Sequence, residues 1–263
     1  MTFFPIVTHQ SADVSETQLK DTIDTLYVHP RTNNMECSSD PDSLRYQAYL
    51  FFCRYPHCIQ HHHQDQFSPS GHLPTLHTTQ GSFLADSDIV KHINKTMLVS
   101  QSKKEFYRDQ AFTALIDAKI RTALEYELWG QDKPFNDISC KIKGSDVYPW
   151  PISYFVPRME RSTRLAGLAL KPSIASAGKM DADLIYSQAE KALDDFDGML
   201  SDSLYLCGDA RPWFCDATLF AYLHIVFNLL SVSVGSRLHA IVVRKKHLIA
   251  YVDRIWNDFF KHT

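Results

Sequence analysis

The chain has 263 residues, 44% hydrophobic and 22% charged, enough to bury roughly three quarters of its unfolded surface around a core. A formal net charge of −3 offers no basic excess for nucleic acid. Six cysteines (Cys37, Cys53, Cys58, Cys140, Cys207, Cys215) form no CxxC pair and read as reduced thiols of an intracellular or cytosol-facing protein.

The start, MTFFPIVTHQ, has no basic n-region, no small-residue cleavage site and no Arg-rich amphipathic pattern, so it reads as neither a signal nor a mitochondrial transit peptide. Residues 1–23 are mixed and polar and read as an extension. DTLYVHP (24–30) is a short β-type run ended by proline. In SSDPDSLRYQAYLFFCRYP, Ser39 or Asp40 can cap a helix with Pro41 in its first turn; Leu44, Ala48, Phe51 and Phe52 make its apolar face and Pro56 stops it. HCIQHHH (57–63) suits a second strand. The turn FSPSGHLP leads to a third strand, PTLHT, and the tight turn TTQG to a fourth, SFLA. Asp86 or Ser87 then caps a helix running to about Lys95, with Ile89, Val90 and Ile93 inward.

From there the pattern is helical. Residues 102–129 carry Leu115, Ile116, Ile120, Ala123 and Leu124 at helical spacing. A loop with Gly144 and three prolines leads to ISYFVPRMERSTRLAGL, and residues 180–200 form an amphipathic helix. From Ala217 to Ser236 twenty residues pass without charge, long enough to cross a bilayer. His224, Asn228 and several hydroxyls within it favour a buried core helix instead. RLHAIVVRKKHLIAYVDRIWNDFF closes the chain.

Three clusters invite function. His57, His61, His62 and His63 stand near Cys58, but on a strand His62 points away from His61 and His63, and no second ligand cluster follows. They read as solvated or edge-strand side chains, with no metal. Arg158, Arg161 and Arg164 recur at i, i+3 and i+6, and Arg244, Lys245, Lys246 and His247 form a second basic group. Such runs are solvated faces, or they dock onto acidic loops of a membrane barrel or anionic headgroups. The aromatics of YPWPISYF (148–155) serve either an interface or the packing of a helical bundle.

The order βαβ–ββα followed by helices resembles the glutathione-transferase fold: an α/β thioredoxin-like N-terminal half plus an all-α C-terminal half. LPTL (73–76) looks like the proline-led start of the third strand, where that fold has a cis X–Pro bond. DSDIVKHI (86–93) is similar to its acidic-Ser helix start, and LCGDARPWFCDATLFAYL (206–223) to the lead-in of its buried second-half helix. In that lead-in Trp213 stands three residues before Asp216, where the fold usually has Ser or Thr completing a capping box. The boundaries implied are an extension at 1–23, a thioredoxin-like domain at 24–97 and a helical domain at 98–263.

A narrower resemblance is to the metaxins, carried by SPSGHLP and YPWPISYFVPRMERSTR; with LYVHPRTNNMECSSDPDSLRYQ the chain looks most like the fungal thirty-five-kilodalton branch. The resemblance implies a non-enzymatic peripheral subunit of the mitochondrial sorting and assembly machinery, on the cytosolic face of the outer membrane. Implied partners are the barrel-forming assembly subunit, a second metaxin-like subunit and β-barrel precursors, with no cofactor. Tyr148, Trp150, Tyr154, Phe155, Arg158, Arg161, Arg164, Arg244, Lys245 and Lys246 are then the candidate partner-binding residues. Leu73, Pro74, Asp86 and Ser87 would be a vestigial glutathione-site frame, with Leu73 offering its backbone at a sheet edge. The alternative is a glutathione-dependent transferase or thiol reductase using Cys37, its thiol activated near a helix N-terminus; Ser38, Ser39 and Asp40 beside it equally read as a helix cap.

Overall fold

The computed structural model describes residues 23–32, 35–62, 71, 73–145, 147–171, 174–176, 179–208, 210–233 and 235–261. The expected extension, apart from Ile23, and most of the SPSGH turn lie outside them. β1 (Thr25–Val28) pairs in parallel with β2 (Cys58–His61) and antiparallel with β3 (Thr75–His77), which pairs with β4 (Phe83–Ala85). The sheet order is β2-β1-β3-β4, so β1 and β3 are interior. Leu26, Val28 and Leu76 are fully buried there.

The crossover helix α1 (Pro41–Phe52) starts as its sequence predicts. The Asp40 carboxylate accepts from the Ser43 amide at 2.8 Å and Pro41 opens the first turn. Leu44, Ala48, Phe51 and Phe52 are all buried. In α2 (Ser87–Thr96), Ile89 and Ile93 are buried and Val90 is half-buried.

The helical part begins at α3 (Lys103–Ile116), where Ser102 and Glu105 form a reciprocal capping box. The helix continues through wider π-type turns at Asp117–Arg121 and Tyr126–Gly130. The loop expected after it is largely helical: Asp132–Pro134, Phe135–Ser139 and Lys141–Ser145 wind as consecutive turns. Then come α4 (Ile152–Ala169), α5 (Ala182–Asp202), α6 (Phe214–Asn228), α7 (Arg237–Val242) and α8 (Lys246–Ile255). A two-residue antiparallel pairing of Ala175–Ser176 with Lys179–Met180 precedes α5 and has no counterpart in the sequence reading.

The chain forms two compact units. One comprises Met1–Gln110, Tyr205–Ala221 and Val252–Thr263; the other comprises Ala111–Leu204 and Tyr222–Tyr251. In the first, Phe51 of α1 packs edge-on against Phe260 and Tyr49 against Phe214. In the second, the inner face of α5 buries Ile185, Ala189, Leu193 and Phe196.

Among the described residues one helical stretch, Phe214–Val232, is long and apolar enough to cross a membrane, and most of it is buried inside the protein. Its N-terminus is built as the missing Ser or Thr requires. Asp216, fully buried, accepts from the Trp213 amide at 2.9 Å and from Leu206 N at 2.9 Å. The Asp109 carboxylate of α3 accepts from Cys215 N at 2.7 Å and so supplies from another helix the cap that position 213 cannot give.

Candidate functional site

The four residues of the expected glutathione frame fall in two places. The Leu73–Pro74 bond is cis and leads into β3. β3 is an interior strand, the sheet edges belonging to β2 and β4, and Leu73 just before it is buried. Asp86 and Ser87 are exposed at the start of α2. Asp86 has φ of +48° and gives no side-chain cap to the helix, contrary to the capping role assigned to it. That non-glycine positive φ directs its backbone in a way a simple cap does not need.

Cys37, the alternative nucleophile, is 1% exposed. Burial pushes its thiol up to about 12, so at neutral pH it carries its proton. The three residues after it hold the loop. Ser38 Oγ donates to His29 O at 2.8 Å, Ser39 Oγ donates to Pro30 O at 2.8 Å, and Asp40 caps α1. Of the three residues read as a cap only Asp40 caps α1; the Ser38 and Ser39 hydroxyls anchor the backbone that follows β1, and Cys37 is buried beside them.

The aromatic segment and the helix after it expose several large apolar side chains. Trp150 is 83% exposed, Met159 71% and Leu170 83%, with Ile152, Tyr154 and Phe155 each about half exposed. Tyr148 is half-buried. On α4 the exposed apolar positions 152, 155, 159 and 166 follow helical spacing along one face, interrupted by exposed Ser162 and Thr163, and Leu170 stands just past the helix end. Arg158, stacked on the Tyr154 ring at 3.6 Å, is the only charged residue exposed from 150 to 170. A cluster of large exposed apolar side chains on a folded surface marks a protein or membrane contact.

The opposite face of α4 carries Pro157, Arg161, Arg164 and Leu168. Gly144 lets the preceding turn approach it: a Cβ there would stand 2.7 Å from Ser153 O and 2.8 Å from Pro157 Cγ. Arg161 donates to Trp129 O at 2.7 Å, Gly130 O at 3.1 Å and Asp132 Oδ1 at 2.7 Å, and stacks on Phe135. Arg164 pairs with Glu160 at 2.8 Å and lies over Trp129. These two of the three arginines fasten the helix and offer no free basic stripe. The second basic cluster is tied down too. Arg244 meets Glu190 at 3.1 Å, Lys245 pairs with Asp194, and Asp197 accepts from the His247 and Leu248 amides. The acids stand at i, i+4 and i+7 on one face of α5. Of the second cluster's assigned residues, Arg244 and Lys246 are exposed, Lys246 at the first position of α8.

The family profile described as "Outer mitochondrial membrane transport complex protein" matches residues 43–161, and a glutathione S-transferase C-terminal domain profile matches 189–255. Metaxin-1 of Mus musculus is 27% identical over 230 residues, covering 85% of this chain and 71% of its own length. Metaxin-2 of Mus musculus is 22% identical over 90% of this chain and 89% of its own. The chain is similar to the metaxins over most of its length, and through them to subunits of mitochondrial outer-membrane transport complexes, associated with that membrane. A glutathione S-transferase of Ceriporiopsis subvermispora solved with glutathione superposes with a TM-score of 0.61 over 90% of this chain and 99% of its own, at 13% identity. The fold of this chain is therefore glutathione-transferase-like: a thioredoxin-like α/β half and a helical half.

Among the described residues the histidine cluster has no common focus. His57 is fully buried, contrary to the solvated reading, with Nδ1 2.6 Å from Tyr55 O; His61 Nδ1 lies 3.2 Å from His29 O, and His62 packs on Tyr27. His63 lies outside the described residues. Sequence reasoning also missed two buried carboxylates. Asp24 binds the Tyr55 hydroxyl and the Thr79 amide (2.8 Å), with His92 Nε2 3.4 Å away. Glu127 accepts from the Tyr186 hydroxyl, Arg237 N at 3.1 Å and Leu238 N at 3.3 Å. Isolated acids within apolar segments were their only signal.

Proposed function

We propose that this chain is a non-enzymatic adaptor. It sits peripherally on the cytosolic face of the outer membrane, bound to the barrel-forming assembly subunit and to a second metaxin-like subunit, and helps recognise and insert β-barrel precursors. The bare apolar face of α4 carries this reading. It exposes Ile152, Phe155, Met159 and Leu170, extended by Trp150, on a chain similar to a family of membrane transport complex proteins. Aromatic and Met side chains of this kind dominate the centres of protein interfaces. The occupant assigned to it is the barrel-forming subunit.

The buried, protonated Cys37 supports a scaffold in preference to a thiol enzyme. The test is co-purification from solubilised outer membranes with Trp150→Ser/Phe155→Ser. The variant is expected to keep its melting temperature and lose the barrel-forming subunit; full retention of that subunit overturns the assignment. Tight retention on glutathione resin with turnover abolished by Cys37→Ser would replace it with the transferase reading.

A further inference from the structure

The second unit contains a cavity of about 290 Å³ that the adaptor role does not use, lined from the end of α3, the turn after it, α5 and the segment entering α7. Its chemistry is graded from floor to rim. Glu127 and Ser233 are 2% and 3% exposed, whereas Lys133 and Arg237 are exposed. The Ser233 hydroxyl is buried and has no hydrogen-bond partner among the described residues. Buried hydroxyls are rarely left so. Gly235, at φ +92°, has nothing within 4 Å of where a Cβ would stand, which keeps this wall open.

The groups define a ligand. Glu127 takes three hydrogen bonds on two oxygens that together offer about four lone-pair sites. It therefore has capacity for one more donor, such as a hydroxyl, and Ser233 can both give and take a hydrogen bond beside it. At the rim the Arg237 guanidinium lies 4.6 Å over the Tyr186 ring and gives one bond to Asp183 at 2.6 Å. Its other donors, with the Lys133 ammonium lining the same cavity, suit the rim to a phosphate. We infer that this cavity binds a small phosphorylated polyol, its hydroxyls on Glu127 and Ser233 and its phosphate between Arg237 and Lys133. The polyol phosphate is either a free metabolite or the headgroup of a phospholipid.

The inference is independent of the adaptor reading and is tested on the full chain by calorimetric titration with sn-glycerol 3-phosphate at constant ionic strength. Saturable binding is expected, weakened about tenfold by Arg237→Gln and several-fold by Ser233→Ala, with inorganic phosphate and glycerol each binding less well. Lys133→Gln, on the exposed rim, replaces Arg237→Gln if the latter lowers the melting temperature, and the same loss is expected. Absence of saturable binding, binding indifferent to the substitutions, or inorganic phosphate binding as tightly as the polyol phosphate overturns the inference. Vesicles distinguish the sources. Sedimentation with phosphatidylinositol but not with phosphatidylcholine alone, competed by glycerol 3-phosphate, assigns a lipid headgroup; soluble binding without sedimentation assigns a free metabolite.

Discussion

Helices α4 and α6 are both rich in apolar residues, yet they use them in opposite ways. In α6 every residue from Phe214 to Val226 is buried, and two carboxylates, Asp109 of α3 and its own Asp216, hold its N-terminal end. In α4 the arginines Arg161 and Arg164 face the protein and find carbonyls, carboxylates and rings, while Ile152, Phe155 and Met159 face outward. Hydrophobicity alone therefore does not assign a helix to the core. What decides is whether its polar groups are satisfied inside; α4 satisfies its guanidinium groups inward and leaves its apolar stripe for a partner.

The contrast can be broken at several points. The largest effect is expected from Phe220→Ala in α6, about 3–5 kcal/mol lost in chemical denaturation, because a fully buried ring leaves a cavity. Asp216→Ala should follow at about 3 kcal/mol, since two buried amides lose a charged acceptor, and Asp109→Ala at about 1 kcal/mol as a lost cap.

Acid sharpens the same comparison. Burial pulls the His224 imidazole of α6 down to about 4 from an ordinary value of 6.5, so the folded chain carries it neutral while the unfolded chain takes up a proton. This contribution to stability is whole above pH 6.5 and falls as pH drops toward 4, by at most on the order of 3 kcal/mol. His224→Gln should flatten that part of the stability-against-pH curve; an unchanged slope would place the titration elsewhere. At the small end, Phe155→Ser on α4 should change stability by less than about 0.5 kcal/mol, as for an exposed site. A loss of several kcal/mol there would mean that the stripe is packed within the chain, and the interface assignment would fail.

Much of the architecture was legible in residue order. The Asp40–Pro41 helix start, the proline-led third strand, the TTQG turn and the amphipathic run of α5 are local signals, and each element forms where its signal stands. The site was less legible. Arg158, Arg161 and Arg164 look equivalent at i, i+3 and i+6, but successive steps of about 100° rotate the first toward solvent and the other two toward Trp129 and Phe135. Arg244 and Lys245 read as a basic cluster until Glu190 and Asp194 arrive from α5.

Caps, turns and hydrophobic periods act within a few residues, so the amino-acid order by itself determined where helices and strands begin, and which family the chain resembles. The burial of Cys37, the capping of α6 by Asp109 and the outward turn of the α4 stripe depend on groups distant in the chain. Folding decided these, because burial and charge pairing are properties of what is brought alongside a residue and not of its immediate neighbours.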